Sequence, residues 1–161
     1  MDETMRQHVG TAIGRIPSGL FVLTARSEDR RMGMLTSWVQ QVSFKPPLVS
    51  VSIAKGRAIM PLISESKHFG LCQLPQNDKL IMRKFAGHLD PTEDPFLGFE
   101  MRSDTVTRLP VLANVLAYLE CEVTSHLDVD ADHDLFVGRV HGGNYLSGEP
   151  HVHLRKNGFS Y

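Results

Sequence analysis

Met5, Val9, Ile13 and Ile16 recur at intervals of three and four residues, which places them on one face of a helix. The spacing predicts an amphipathic helix over residues 2 to 16, with Asp2 or Thr4 as its cap and Pro17-Ser18-Gly19 as its end. The period then shortens. Leu20 to Thr24 is a β-rich run, Ser27 to Arg31 is a charged turn, and a second strand follows from about Gly33 to Ser43, together a hairpin. Phe44-Lys45-Pro46-Pro47 interrupts it, because proline lacks the donor an interior strand needs. A third strand, Leu48 to Ala54, alternates cleanly: Leu48, Ser50 and Ser52 face one way, Val49, Val51 and Ile53 the other.

Farther along, Ala58 to Ser66 reads as a short helix, His68 to Leu74 as a strand, and Asn77 to Ala86 as a helix with Leu80, Ile81, Met82 and Phe85 as its apolar contacts. The segment His88 to Asp104, with two prolines and many charges, reads as a mobile excursion of the kind that usually serves function. Two long strands close the pattern, Ala117 to Leu127 and Leu135 to Tyr145. Gly138, Gly142 and Gly143 within the second suggest the bends or bulges that barrel closure requires. The class is therefore mainly β: a closed or nearly closed antiparallel barrel with a few peripheral helices and no internal repeat.

Composition narrows the function. A chain of 161 residues, 42% of them hydrophobic, suits a single domain spanning residues 1 to 161. Lys+Arg is 17 against Asp+Glu 18, so no net field draws the molecule to nucleic acid or an anionic membrane, and binding must come from a local site. The longest apolar stretches are strand-sized, well short of the ~20 residues that span a bilayer. The acidic N-terminus lacks the apolar core of a secretory signal, so a cytoplasmic protein is expected. Cys72 and Cys121 sit in apolar runs with no metal or redox spacing and read as buried structural thiols.

Four groups of residues carry candidate chemistry. In Gly33-Met34-Leu35-Thr36-Ser37-Trp38, followed by Ser43, small hydroxyl residues interrupt an apolar strand; they could supply donors to the polar edge of a flavin ring, while composition alone favours an ordinary strand with Thr and Ser on its wet side. Ala54-Lys55-Gly56-Arg57 puts two cations at a strand end just before a helix, a phosphate site or simply a solvated turn. Neither dinucleotide nor P-loop glycine signatures occur. Asp128, Asp130 and Asp132 open like a calcium loop, but His133 stands where glycine is needed and Arg139 where glutamate is needed, so that reading fails. His133, an imidazole amid carboxylates just before a strand, is the best single candidate for a proton relay or an anionic ligand, with a plain surface turn as the alternative. His151 and His153 share a strand face without a third ligand in register, so no metal is assigned.

In this order, the segments resemble the flavin reductase-like family of FMN-binding split barrels. The resemblance rests on Ile16 to Thr24, Gly33 to Ser43, Pro46 to Val51, Ala54-Lys55, Asp132-His133 and the closing His153-Leu154-Arg155-Lys156-Asn157-Gly158. Thr36-Ser37-Trp38, Leu116 to Cys121 and the terminal His-Leu-Arg-Lys look especially like the flavin reductase module of diflavin flavodiiron proteins. The resemblance implies an FMN-binding split β-barrel of Greek-key type that holds FMN or FAD non-covalently. It also implies an NAD(P)H:flavin oxidoreductase in which NADH or NADPH delivers hydride to the flavin N5. Thr36, Ser37 and Trp38 would lie along the isoalloxazine, Ser43 near the flavin, Ala54, Lys55 and Arg57 at the ribityl phosphate, and His133 where nicotinamide approaches. A homodimer with flavin sites near its interface, and a downstream monooxygenase or other electron acceptor, are also implied. The rival reading is a flavin-binding electron carrier without direct NAD(P)H activity. The chain departs from the family in Met32 and Ala131, where asparagine and glycine are usual.

Overall fold

The computed structural model describes residues 1–161. In chain order the elements are α1 (Glu3–Gly14), β1 (Phe21–Ser27), β2 (Arg30–Thr36), β3 (Val39–Ser43), β4 (Leu48–Ala54), α2 (Ile59–Ser66), β5 (His68–Gln73), α3 (Leu80–Ala86), β6 (Ala117–Asp128) and β7 (His133–Tyr145). All seven strands join one antiparallel sheet in the order β2-β1-β5-β6-β7-β4-β3. The barrel is not closed. Its two edges, β2 and β3, are consecutive in the chain, so the run expected as one strand is divided at Ser37-Trp38. The first half pairs with β1 and the second with β4.

Both faces of the sheet are covered near its centre, which explains why four consecutive residues of β1, Val22 to Ala25, are buried. Leu23 and Ala25 point inward with Val51, Ile53, Phe69 and Phe136, against Ile59, Leu62 and Ile63 of α2. Val22 points the other way, into a second cluster with Cys72, Leu74, Phe85, Phe96 and Leu112. Burying each of these Val, Leu, Ile and Phe side chains stabilises the fold by roughly 1.5–3 kcal/mol. In β4 only Val49, Val51 and Ile53 are buried, as its alternation requires. The segment 88–104 is anchored to the second cluster: Phe96 is buried against Phe85, with ring centroids 5.4 Å apart, and Asp94 pairs with Arg31.

The N-terminal helix packs differently from its sequence pattern. Asp2 caps it by accepting from the Met5 amide at 2.8 Å. Its buried positions, however, are Gly10 and Gly14, while Met5 and Ile16 stay exposed. The two glycines let the C-terminal segment lie directly on the helix: the Gly158 amide donates to the Gly10 carbonyl at 2.6 Å and that of Arg155 to the Gly14 carbonyl at 3.0 Å. A Cβ on Gly14 would lie 2.6 Å from the Arg155 carbonyl oxygen. Close backbone approach, rather than an apolar stripe, docks this helix.

Glycines also shape β7. Its pairing with β6 is interrupted twice: His141 is an extra residue on β7 between the pairs Glu120–Gly142 and Cys121–Val140, and Thr124 is an extra residue on β6 between Val123–Gly138 and Ser125–Val137, and each bends its strand. A Cβ on Gly138 would meet the buried Phe69 ring at 2.5 Å. No helix is long and apolar enough to cross a membrane.

Two outcomes test this packing. Gly138→Ala should lower stability by about 1–3 kcal/mol, the usual cost of overpacking, in urea denaturation. Burial pushes the thiols of Cys72 and Cys121 up to about 12. Ellman's reagent should therefore titrate no thiol in the native protein at pH 8 and two once it is unfolded.

Candidate functional site

Where β2 passes into β3, the chain crosses from one edge of the sheet to the other, and it is met there by the end of β4 and the start of β7. The Ser52 amide donates to the Trp38 carbonyl at 3.1 Å, which holds the crossing against β4. Ala54 pairs with His133, and the Lys55 amide donates to the Asp132 carbonyl at 2.9 Å. Four separate stretches, 36–38, 52–57, 126–134 and 155–161, thus converge at the split.

Trp38 is the centre of this cluster. Its ring centroid lies 4.7 Å from that of His133 and 5.7 Å from that of Tyr161, and the Arg155 guanidinium sits 5.1 Å from it. His133 is held at both nitrogens: Nδ1 is 2.8 Å from an Asp132 carboxylate oxygen and Nε2 is 2.6 Å from the Tyr161 hydroxyl. The hydrogen bond from His133 holds the Asp132 carboxyl below its ordinary range, so it is an acceptor at neutral pH. In the neutral imidazole Nδ1 must then carry the proton, leaving Nε2 to accept from the phenol. Burial raises the Tyr161 hydroxyl, while the Arg57 and Arg155 charges oppose the rise; it remains a donor.

Lys55 forms the second part. Its Nζ lies 2.7 Å from Asp128 and 3.6 Å from Asp134. The Asp128 hydrogen bond raises the lysine, and the lysine in turn lowers Asp128. Asp134 is buried and accepts from His126 at 2.8 Å, with the His126 ring stacked on Phe136. The turn between β6 and β7 is built without the family's glycine: Asp130 takes the left-handed conformation, φ 54°, and donates its amide to Asp128 at 2.8 Å. Ala131 therefore needs no special backbone freedom, and the turn still delivers His133 to Ala54. Met32, at the other departure, is a buried core residue paired with Ala25.

Of the residues expected at the site, Trp38, Ala54, Lys55 and His133 come together, with Arg57 close enough for its charge to act on Tyr161. Thr36 and Ser37 are buried at the crossing, 9% and 7% exposed. Ser43 does not join them: it pairs with Leu48, at the far end of β3 and six residues along β4 from Ala54, roughly 20 Å away. Tyr161, Arg155, Asp128 and Asp134 complete the cluster and were not expected there. Only the run of acidic residues around His133 hinted at the last two.

The donor set fits a flavin. The hydroxyls of Thr36 and Ser37 make no hydrogen bond within the chain and are not fully enclosed, so they are free to bind a polar ring edge. No side chain caps the start of α2, which begins just after Lys55 and Arg57; the Met60 amide is taken by the Arg57 carbonyl at 3.1 Å, and no hydrogen bond within the chain engages the amides of Ala58 and Ile59, which could meet a phosphate. Trp38 would supply an aromatic wall.

The seven strands and the convergence of 36–38, 52–57 and 133 at the gap define an open, split antiparallel barrel. The chain belongs to the flavin reductase like domain family, whose model matches residues 13–159. It is 38% identical to diflavin flavoprotein A 1 of Synechocystis sp. over 153 residues, which cover 93% of this chain and 26% of that protein. The chain thus spans about a quarter of the length of the curated relatives it matches. The styrene monooxygenase flavin reductase of Pseudomonas putida S12 superposes with a TM-score of 0.76 at 27% identity, covering 89% of this chain and 90% of that one. The NADH:FAD oxidoreductase SgcE6 of Streptomyces globisporus C-1027, in complex with NAD and FAD fragments, shares the fold with a TM-score of 0.82 at 22% identity, over 96% and 91%.

The depressed Asp128 gives a pH test. Its pair with Lys55 is in place above the ordinary aspartate range and is lost as pH falls through the depressed value. A carboxyl-carbon NMR titration should find the Asp128 midpoint below the ordinary aspartate value, and Lys55→Ala should return it toward that value.

Proposed function

We propose that the chain is an NAD(P)H:flavin oxidoreductase that holds FMN or FAD non-covalently at the split of its barrel. The observation that carries this reading is the meeting of Trp38 and His133, 4.7 Å apart, one strand end from Lys55 in a chain of this family. The flavin, when bound, supplies the hydride-accepting chemistry. The chain's residues orient and select. Trp38 walls the ring, the hydroxyls of Thr36 and Ser37 meet its polar edge, and Lys55 with Arg57 receives the phosphate. His133, its Nδ1 proton held by Asp132, turns Nε2 toward the place where the nicotinamide enters.

A second reading has an observation of its own. Tyr161 lies over Trp38 and closes the Nε2 side of His133. A face so covered suits a flavin-binding electron carrier that takes electrons from a protein partner rather than from NADH or NADPH. Under either reading the electrons pass onward, to a monooxygenase or another acceptor. A cytoplasmic homodimer completes the proposal; Phe44, 90% exposed, and Ile16 are apolar surface that a second copy would cover, which light scattering would check.

The spectrum of the FMN-saturated protein, recorded anaerobically before and after NADH and then NADPH, tests the reading. Bleaching by either donor establishes a reductase; flavin that stays oxidised establishes the carrier, and no binding of FMN or FAD overturns both. Lys55→Ala should weaken FMN at least tenfold and riboflavin hardly at all, since only FMN carries the phosphate. His133→Asn should slow reduction more than tenfold with less than a threefold change in flavin Kd. Tyr161→Phe, which leaves the ring and removes the hydrogen bond, should speed reduction by NADH if the phenol must move aside.

A further inference from the structure

We propose that a cleft between the β1–β2 turn and residues 101–111, at the opposite end of the hairpin from Thr36, binds a phosphate-bearing small molecule. The flavin reading assigns nothing to this region and the inference does not rest on it. Arg31 stands five residues before Thr36 in β2, so the two sites are separated by roughly 17 Å of strand.

The cleft encloses about 280 Å³. Arg26, Arg31, Arg102 and Arg108 converge on it above an apolar floor that includes Leu109 and Val111, and none of its nine lining residues is acidic. In a chain with a net charge of -1, that is a marked local concentration of positive charge. A second cavity of about 450 Å³ shares Arg26, Arg108 and Leu109 with the first and adds His68, Ser66 and Thr107. The two share these residues and adjoin, so the cationic cleft continues into a polar extension that Glu28 also lines.

The guanidinium groups are arranged before any ligand arrives. Arg31 lies over the Phe96 ring at 5.4 Å and is pinned by Asp94; Arg102 lies over Tyr118 at 5.4 Å and is pinned by Asp104. Stacking fixes each planar group and leaves its remaining N–H edge for an acceptor. The Nε of Arg102 is buried without a partner, a donor the fold itself does not satisfy. Arg26 gives only its Nε, to the Glu28 carbonyl at 2.9 Å. Its terminal nitrogens, and the whole of Arg108, have no ion-pair partner. Asp94 and Asp104 pair with two of the four arginines, while Arg26 and Arg108 form no ion pair, with Glu28 included, so two guanidinium groups are available for bidentate contacts to a phosphate. The apolar floor gives the organic part of a phosphate ester somewhere to rest.

The test titrates the whole protein with inorganic phosphate, and separately with AMP, by calorimetry and amide NMR in 150 mM NaCl. Saturable one-to-one binding is expected, with shifts centred on Arg26, Arg31, Arg102 and Arg108. The double variant R26A/R108A should lose at least tenfold in affinity while its circular dichroism and Tm stay as in the parent, and Lys55→Ala should leave affinity unchanged. If the double variant fails to fold, Arg108→Ala alone, at an exposed position, should lose at least threefold. AMP binding tighter than phosphate identifies an ester as the ligand; equal affinity identifies the free anion. Non-saturable binding, binding unaffected by the arginine variants, or AMP shifts centred on Lys55 and His133 instead would overturn the proposal.

Discussion

The register of β4 against β7 is the constraint on which both core and site depend. Seven consecutive pairs, from Leu48 with Arg139 to Ala54 with His133, run the length of β4. Because side chains alternate, a slip of one residue would turn Val49, Val51 and Ile53 out to solvent and bring serines into the barrel. It would also move His133 away from Ala54 and uncouple Lys55 from Asp128 and Asp134. The hydrophobic effect that sets the register for the core's sake therefore aims the polar groups as well. Their precision costs no separate device.

A second dependence runs through the N-terminal helix. Gly10 and Gly14 admit the backbone of 155–158, and this docking sets the height at which Arg155 reaches Trp38. From there three residues of chain bring Tyr161 to His133. The helix contributes no side chain to the cluster, yet through the backbone of Arg155 it positions the segment that covers it.

Local patterns made the fold legible. The alternation of β4, the hairpin of β1 and β2, the short α2 and the paired long strands all follow from apolar spacing, and the resemblance supplied the split-barrel arrangement. The contacts of α1 were not legible, because a glycine seam carries no hydrophobic signal; Met5 and Ile16 made the pattern that a buried face would make, and both are exposed. At the site, Trp38, Ala54, Lys55 and His133 were readable as local motifs, and the sheet brought them together. The separation of Ser43 from that cluster was not legible, since it depends on the direction in which β3 leaves Trp38. Tyr161 lay outside every motif, and Arg155, though part of the closing motif that carries the resemblance, had no assigned role, for the opposite reason: nothing near them in sequence indicates that the tail returns across the barrel's gap.

The division of residues 30–43 into two strands has a mechanical side. One nearly continuous extended stretch provides both free edges of the sheet, so the gap in the barrel is bridged by its own backbone at Ser37-Trp38. From Thr36 to Val39 the chain can reach at most about 11 Å, at roughly 3.6 Å per residue. That end of the slit has a ceiling on its width, set by covalent geometry, while Arg30 and Ser43 diverge from it along different neighbours. The barrel is a hoop with its clasp at Trp38: deformation that parts the edges pivots there, and the groups gathered around that tryptophan sit on the axis that moves least.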